Sequence, residues 1–403
     1  MSSSLRILFV APYVPSPIRV RPYQLLRQLV RLGHRVTLVA LEGGTADPSS
    51  RQELRELCAR VEIVPHSKWR GGLQALAALP TPTPLWSAFC RSPKLARILQ
   101  KLTAEETFDV AHIEHLRAAH FGGCVGSLPV VFDAVDCIAA LQKQMMEQAE
   151  TLPNKLLAWE EFTKLQSYEP GAYRSFSQIA VTSRYDAEEL GALSEHLPPV
   201  SVISNGVDLD YFRPDATVPK PDSLVFSGKM SYRANDDAAR YLAADILPRI
   251  RAQRPEATLT IAGSEPSSSI RDLVGKGNIR VTGYVDDLRP FLTEAAIAVC
   301  PMRIGVGIQN KALEAMAMGR PVVCSPIAGR ALSGAVGSGG VRIATSADAF
   351  ADACIDLLSR PEAAAAAGEA ARRYVEGHHR WECAAESFVE LYERARRSAG
   401  RMN

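Results

Sequence analysis

The sequence predicts an α/β protein made of two doubly wound, Rossmann-like halves that face one another across a cleft. Three observations carry that prediction. Short Val/Ile/Phe runs alternate with helical segments, the rhythm of βαβ units and of a parallel sheet covered on both faces. The rhythm halts at the turn-forming pair Asn205-Gly206 and then restarts. At 403 residues the chain also exceeds one compact core of usual size.

In the first half, 6–11 reads as a buried strand and 15–17 as a turn. An amphipathic helix over 23–32 closes on Gly33, and 35–41 is the next strand. Strands at 107–113, 129–133 and 178–182 continue the pattern. The second half carries strands at 223–227, 258–263, 279–282, 297–300 and 321–324, and then helices at 347–358, 363–376 and 381–397. The expected domains are 1–199 and 200–385, with 386–403 a helix packing back on the first.

Composition narrows the function classes. A net charge of +2 gives no global argument for nucleic acid. The eight cysteines are scattered with no C-x-x-C pair, which suits buried thiols in a reducing compartment rather than a disulfide or zinc framework. The apolar run at 7–11 is too short for a signal peptide, and no stretch reaches membrane-spanning length. The expected location is the cytoplasm. Between Glu62 and Glu105 there are six basic residues (Lys68, Arg70, Arg91, Lys94, Arg97, Lys101) and no acidic ones, interleaved with Trp69, Trp86 and Phe89. Two readings of 66–101 stand: an interfacial anchor at the inner face of a membrane, or a solvated helix with its aromatics in the core.

The densest chemistry lies in 301–326, PMRIGVGIQNKALEAMAMGRPVVCSP. A donor-rich loop (Gly305, Gly307, Gln309, Asn310, Lys311) leads into an apolar helix that holds one carboxylate, Glu314, and ends at Gly319. Glycines let a backbone approach a ligand, and a helix start offers N–H groups to an anion. This is how a site for a nucleoside diphosphate would be assembled; spacing alone equally allows an ordinary loop–helix–strand unit.

Four blocks in order resemble the retaining glycosyltransferases of family 4, also called glycosyl transferases group 1. They are Ile203-Ser204-Asn205-Gly206-Val207-Asp208 with Tyr211-Phe212-Arg213-Pro214, Leu259-Thr260-Ile261-Ala262-Gly263, Val281-Thr282-Gly283-Tyr284-Val285-Asp286-Asp287, and Leu313-Glu314-Ala315-Met316-Ala317-Met318-Gly319-Arg320-Pro321-Val322-Val323. The segment Gly307-Ile308-Gln309-Asn310-Lys311 is most similar to the exopolysaccharide-associated branch of bacterial sugar transferases. The resemblance covers nearly the whole chain. It implies the GT-B fold, with the first half binding the acceptor and the second a nucleotide sugar. It also implies hexosyl transfer with retention to a glycan, lipid-linked or small-molecule acceptor, with no cofactor, metal or nucleic acid.

Carried over by position, Glu314 would bind ribose hydroxyls, backbone N–H groups around Asn310 and Lys311 would face the diphosphate, Gln309 and Asn310 would contact the donor sugar, and Gly307 is a further donor-side residue. Tyr284 and Val285 would lie beside the base. Gly228-Lys229 stands where the family has Gly-Arg, so Lys229 would supply charge to the leaving diphosphate, with Arg233 a substitute for a missing downstream lysine. The family's first glutamate is here Val306, and its N-terminal histidine is here Asp133, followed by Asp136. Either acid is a candidate catalytic group or a helix cap. Arg19 and Arg21 replace a glycine pair at a helix start, where their charge opposes the dipole and calls for a partner. That partner is a donor phosphate, an anionic acceptor or an internal acid. His115 is a candidate acceptor contact, while His112 is expected to be structural and H-x-x-H here is not a metal pair. Two alternatives remain: a nucleotide-sugar 2-epimerase of the same fold, and a non-catalytic partner that binds a nucleotide sugar.

Overall fold

A computed structural model describes residues 4–42 and 48–400. The chain divides into two compact units, 1–204 with 381–403, and 205–380.

The first unit is built on a seven-stranded parallel sheet in the order β3-β2-β1-β4-β5-β6-β7. Its strands are β1 (Arg6–Ala11), β2 (Arg35–Glu42), β3 (Arg60–Pro65), β4 (Val110–Glu114), β5 (Val130–Val135), β6 (Gln178–Val181) and β7 (Val200–Val202). The second unit has a six-stranded parallel sheet, β10-β9-β8-β11-β12-β13. These are β8 (Ser223–Ser227), β9 (Thr258–Ala262), β10 (Ile279–Val281), β11 (Ile297–Cys300), β12 (Val322–Cys324) and β13 (Val341–Ile343). Central strands are buried on both faces, which is why they read as unbroken apolar runs.

Three strands escaped the sequence: β3, β7 and β13 are edge or near-edge strands, too short or too polar to stand out. They also move the domain boundaries. β7 pairs with β6, so the first unit extends to Ser204 rather than 199. The return falls at Trp381 rather than 386, because Trp381 and Phe388 are sealed in the same core as Ile7, Phe9 and Leu25. The returning helix, Trp381–Gly400, buries Ala384, Ala385, Leu391, Tyr392 and Ala395 as well.

Each sheet has one switch point, between β1 and β4 and between β8 and β11, where successive strands depart in opposite directions. The carboxyl ends of those strands are where such sheets take ligands. In the second unit two glycines crowd that point. Gly263, at φ +147, lies so close to Gly228 that an added Cβ would sit 1.8 Å from the Gly228 carbonyl oxygen. Gly263→Ala is therefore expected to cost about 3 kcal/mol by strain and overpacking together. A denaturant melt checks it: an unchanged midpoint would mean that the two loops separate freely.

Candidate functional site

In the second unit, the loop after β11 leads through Gly307 (φ +64) to the helix Asn310–Ala317. Gln309 sits at the N-cap but makes no side-chain cap, and the N–H groups of Asn310 and Lys311 have no acceptor inside the helix. Asn310 is turned by Asn205, whose side-chain nitrogen donates to Asn310 Oδ1 at 2.9 Å. His379 Nδ1 in turn lies 2.9 Å from the Asn205 carbonyl oxygen.

Lys311 reaches back beneath the glycine loop. Its Nζ donates to Asn235 Oδ1 at 2.8 Å and to Gln309 Oε1 at 3.3 Å, and stands over the Phe226 ring at 5.4 Å. Asn235 Nδ2 donates to the Lys229 carbonyl at 2.9 Å, which ties the turn after β8 to this lysine. Burial holds the Lys311 ammonium below its usual value, with Cys300 and Glu314 opposing that shift. Glu314 follows one turn later, half-buried, and desolvation raises its carboxyl to about 7 against the pull of Lys311. The helix closes at Gly319 in the left-handed region, as its sequence suggested.

The remaining donor-side candidates stand further out. Lys229 is solvent-facing and pairs with Glu265 at 3.0 Å, and Glu265 also accepts from Ser231 Oγ at 2.6 Å. Gly228 takes φ +151, which brings its Cα against Asn235 and Lys311. Arg233 opens the helix Arg233–Tyr241, Tyr284 is exposed after β10, and Val285 is partly covered. Asn235, Asn205 and Glu265 are the residues that sequence reasoning missed as site members. Nothing in the sequence says that Asn235 meets a lysine 76 positions later.

In the first unit, a polar cluster fills the switch point. Arg21 is 4% exposed and grips Asp133 with two parallel bonds, Nε–Oδ2 at 2.7 Å and Nη2–Oδ1 at 2.9 Å, while Nη1 donates to the Ile203 carbonyl at 3.1 Å. Of the partners left open for Arg21, the structure supplies the internal acid rather than a phosphate or an anionic acceptor. Arg19 instead stays exposed, its guanidinium over the Tyr13 ring at 4.6 Å. Asp133 and Asp136 do not cap the following helix. Its first N–H groups go to Asp186 (Cys137 N, 3.0 Å) and Glu169 (Ile138 N, 3.1 Å; Ala139 N, 2.8 Å). Asp136 accepts from Thr182 Oγ1 at 3.1 Å, and burial, then Asp186, raises it to about 7. A bulge between Asp133 and Val135 throws Val135 to φ 68, an unusual conformation for a β-branched residue.

His112 lies in the core, stacked on Phe9 at 4.1 Å and hydrogen-bonded through Nδ1 to Tyr392 Oη at 2.8 Å. His115 sits just past β4 at φ 66, and burial holds it well below the usual histidine value, so it is neutral. Between them stands Glu114, 1% exposed, which sequence reasoning passed over. Tyr13 Oη donates to its Oε1 at 2.8 Å, while Oε2 is buried without a hydrogen-bond partner among the described residues. The missed signal was available, since His112 and Glu114 are polar at period two in an apolar strand.

Burial, and then Asp133, raises Glu114 to about 8. Its folded value lies above the unfolded one, so the unfolded chain loses this proton first, and stability falls as pH rises from about 4.5 to about 8. Glu114→Gln is expected to match the wild type near pH 4.5 and to be more stable by about 1–3 kcal/mol at pH 8. Parallel melts across that range decide it, and a difference that does not grow with pH would show that the carboxyl is already ionised.

Among the described residues, no three His, Cys, Asp or Glu side chains gather as a metal-binding group.

With both sites placed, comparison with solved structures is decisive for the architecture. The sucrose-phosphate synthase of Thermosynechococcus elongatus superposes with a TM-score of 0.73 at 18% identity, over 96% of this chain and 98% of that one. Anabaena HepE in complex with UDP and glucose gives 0.67 at 14% identity, over 96% and 99%. The fold is GT-B. Residues 19–211 match Glycosyltransferase Family 4, and residues 221–360 match Glycosyl transferases group 1. A glycogen synthase of Mycobacterium tuberculosis is 32% identical over 234 residues, 55% of each chain. A D-inositol 3-phosphate glycosyltransferase of Mycobacterium avium is 26% identical over 239 residues, 54% of this chain and 55% of that one. The chain spans about half the length of the curated relatives it matches.

Proposed function

We propose that this chain is a hexosyltransferase that moves a sugar from a nucleoside-diphosphate donor to a hydroxyl of a glycan, lipid-linked saccharide or small-molecule acceptor. The carrying observation is Glu314, one turn into a helix whose uncapped start lies at the sheet's switch point with Lys311 folded beneath it. A carboxylate with two oxygens suits a ribose diol, and N–H groups with a lysine suit a diphosphate. As the bond from sugar C1 to the diphosphate oxygen breaks, its electron pair goes to the leaving group, the acceptor oxygen bonds to C1, and the acceptor hydroxyl proton passes to the departing diphosphate oxygen. Lys311, Lys229 and the helix-start N–H groups stabilise that charge, which is the basis for reading the reaction as metal-independent. Retention and a place in exopolysaccharide assembly rest on the motif resemblance. Val306, where the family has a sugar-contacting glutamate, leaves Gln309 and Asn310 as the donor-sugar contacts in this reading. In the first unit, His115 and the acids Asp136 and Glu114 are the acceptor-side groups.

The relatives include a structure holding UDP and glucose, so UDP-glucose is the first donor to try. The test is a thermal-shift panel with UDP, GDP, ADP and dTDP, then the matching sugar nucleotides with acceptors. A ligand at about a hundredfold its dissociation constant stabilises the fold by about 2.7 kcal/mol, a visible shift. If no nucleotide moves the melt, the donor-site reading is wrong.

A further inference from the structure

The first unit presents two apolar stripes that its own core does not use. On the helix Lys68–Ala78, Trp69, Leu73 and Leu76 recur at helical spacing and all are exposed, Trp69 by 77%. On the helix Leu152–Tyr173, Leu152, Leu156 and Trp159 repeat the same spacing, with Leu152 68% exposed and Leu157 exposed beside them. The two helices are tied together inside the unit. Lys164 Nζ donates to the carbonyls of Ala78 (2.9 Å) and Leu79 (3.1 Å), and Glu161 accepts from the Leu85 N–H at 2.7 Å. The opposite sides of both helices are the packed ones. Gly71 and Ala78 face inward on the first, with Gly71 set against Phe89, and Ala158, Glu161 and Leu165 are buried on the second. Exposed apolar surface of this extent marks an interaction site.

Charge identifies the occupant. The six basic residues between Glu62 and Glu105 have no acid interspersed among them in the sequence, all six side chains are exposed, and Lys101 pairs with Glu105 at 3.8 Å. Lys155 adds a further exposed cation between Leu152 and Leu156. Tryptophan and leucine on one face with the exposed cations Lys68, Arg70 and Lys155 beside them is the composition of a helix lying in a bilayer interface, and those cations favour anionic lipid, although Glu150 and Glu160 flank the second stripe.

We propose that the helices Lys68–Ala78 and Leu152–Tyr173 together form a docking surface for an anionic lipid bilayer, with Trp69 and Trp159 as interfacial anchors. This deepens the glycosyltransferase reading: the acceptor class it favours is the lipid-linked saccharide, presented at the membrane where the enzyme is held. No helix among the described residues is long and apolar enough to cross a membrane.

The test is flotation of the whole chain with phosphatidylcholine vesicles and with equimolar phosphatidylcholine–phosphatidylglycerol vesicles, alongside two triple variants. One carries Trp69→Ser, Leu73→Ser and Leu76→Ser; the other carries Leu152→Ser, Leu156→Ser and Trp159→Ser. The wild type is expected to float with the anionic vesicles only and to be released by high salt. Each variant should lower the bound fraction by about tenfold while melting at the wild-type temperature. Binding that ignores lipid charge would overturn the electrostatic half of the proposal. Loss confined to one variant would overturn the two-helix surface. No flotation would overturn the whole, and a dimer in light scattering that the variants dissolve would assign the patch to a second copy of the chain. Nucleotide thermal shifts on the same preparations report the donor site separately, so failure of one reading does not imitate failure of the other.

Discussion

Glu314→Gln is expected to reduce affinity for the productive nucleotide by about a hundredfold, about 3 kcal/mol, with kcat/KM falling at least as far. A glutamine in this position offers one carbonyl oxygen where the carboxylate offers two charged ones, so a ribose diol loses two charge-assisted bonds. The wild-type carboxyl sits at about 7 without ligand because it is desolvated. Hydroxyl donors favour the ionised form, so bound nucleotide lowers that value. Affinity should therefore rise as pH climbs through 7, with proton release on binding, and both effects should vanish in the variant. Isothermal titration in two buffers of different ionisation enthalpy measures them together. Wild-type affinity in the variant would remove Glu314 from the donor site; a retained pH dependence would place the titrating group elsewhere.

Asp133→Asn is expected to destabilise the first unit by about 3–5 kcal/mol, because it leaves the Arg21 guanidinium buried without its counter-charge. The paired replacement Arg21→Met with Asp133→Leu should recover most of that loss, since the buried charges then disappear together. The cost also depends on pH. Asp133 raises the proton affinity of Glu114 and Asp136, and Arg21 lowers it. Once Asp133 is neutral, both acids lose its opposing charge while keeping the attraction of the arginine, and ionise more readily. The penalty should therefore shrink as pH rises past neutrality, when Glu114 or Asp136 takes over as counter-ion. Denaturant melts at several pH values check this. A small penalty at every pH, or one that grows upward, would mean that water or backbone already satisfies Arg21.

Much of this was legible in the chain. The apolar strands β1, β8 and β11 could be bounded to the residue, because a strand buried on both faces has no choice but to be continuously hydrophobic. The loop and helix around Glu314 could also be read, since glycine at a left-handed turn and a lone acid in an apolar helix are local signals. The edge strands β3, β7 and β13 could not, because edges are short and half-solvated.

Partners separated by long stretches of chain were the other blind spot. Arg21 called for a partner by its position against a helix dipole, yet that partner, Asp133, lies 112 residues on and is reached only through the β1–β4–β5 order of the sheet. Asn235 is silent in sequence and meets Lys311 only because β8 and β11 are neighbours. Nothing in the sequence of the helix Leu152–Tyr173 marks its Leu152, Leu156 and Trp159 stripe as exposed, and packing alone turned it outward. By itself, then, the sequence determined the alternation of elements, the two halves and the local chemistry around Glu314, all consequences of side-chain periodicity and backbone freedom over a few residues. The tertiary structure alone decided which charges are paired, which protons are held and which apolar faces remain uncovered. Those depend on desolvation and on distances between residues that the chain order keeps far apart.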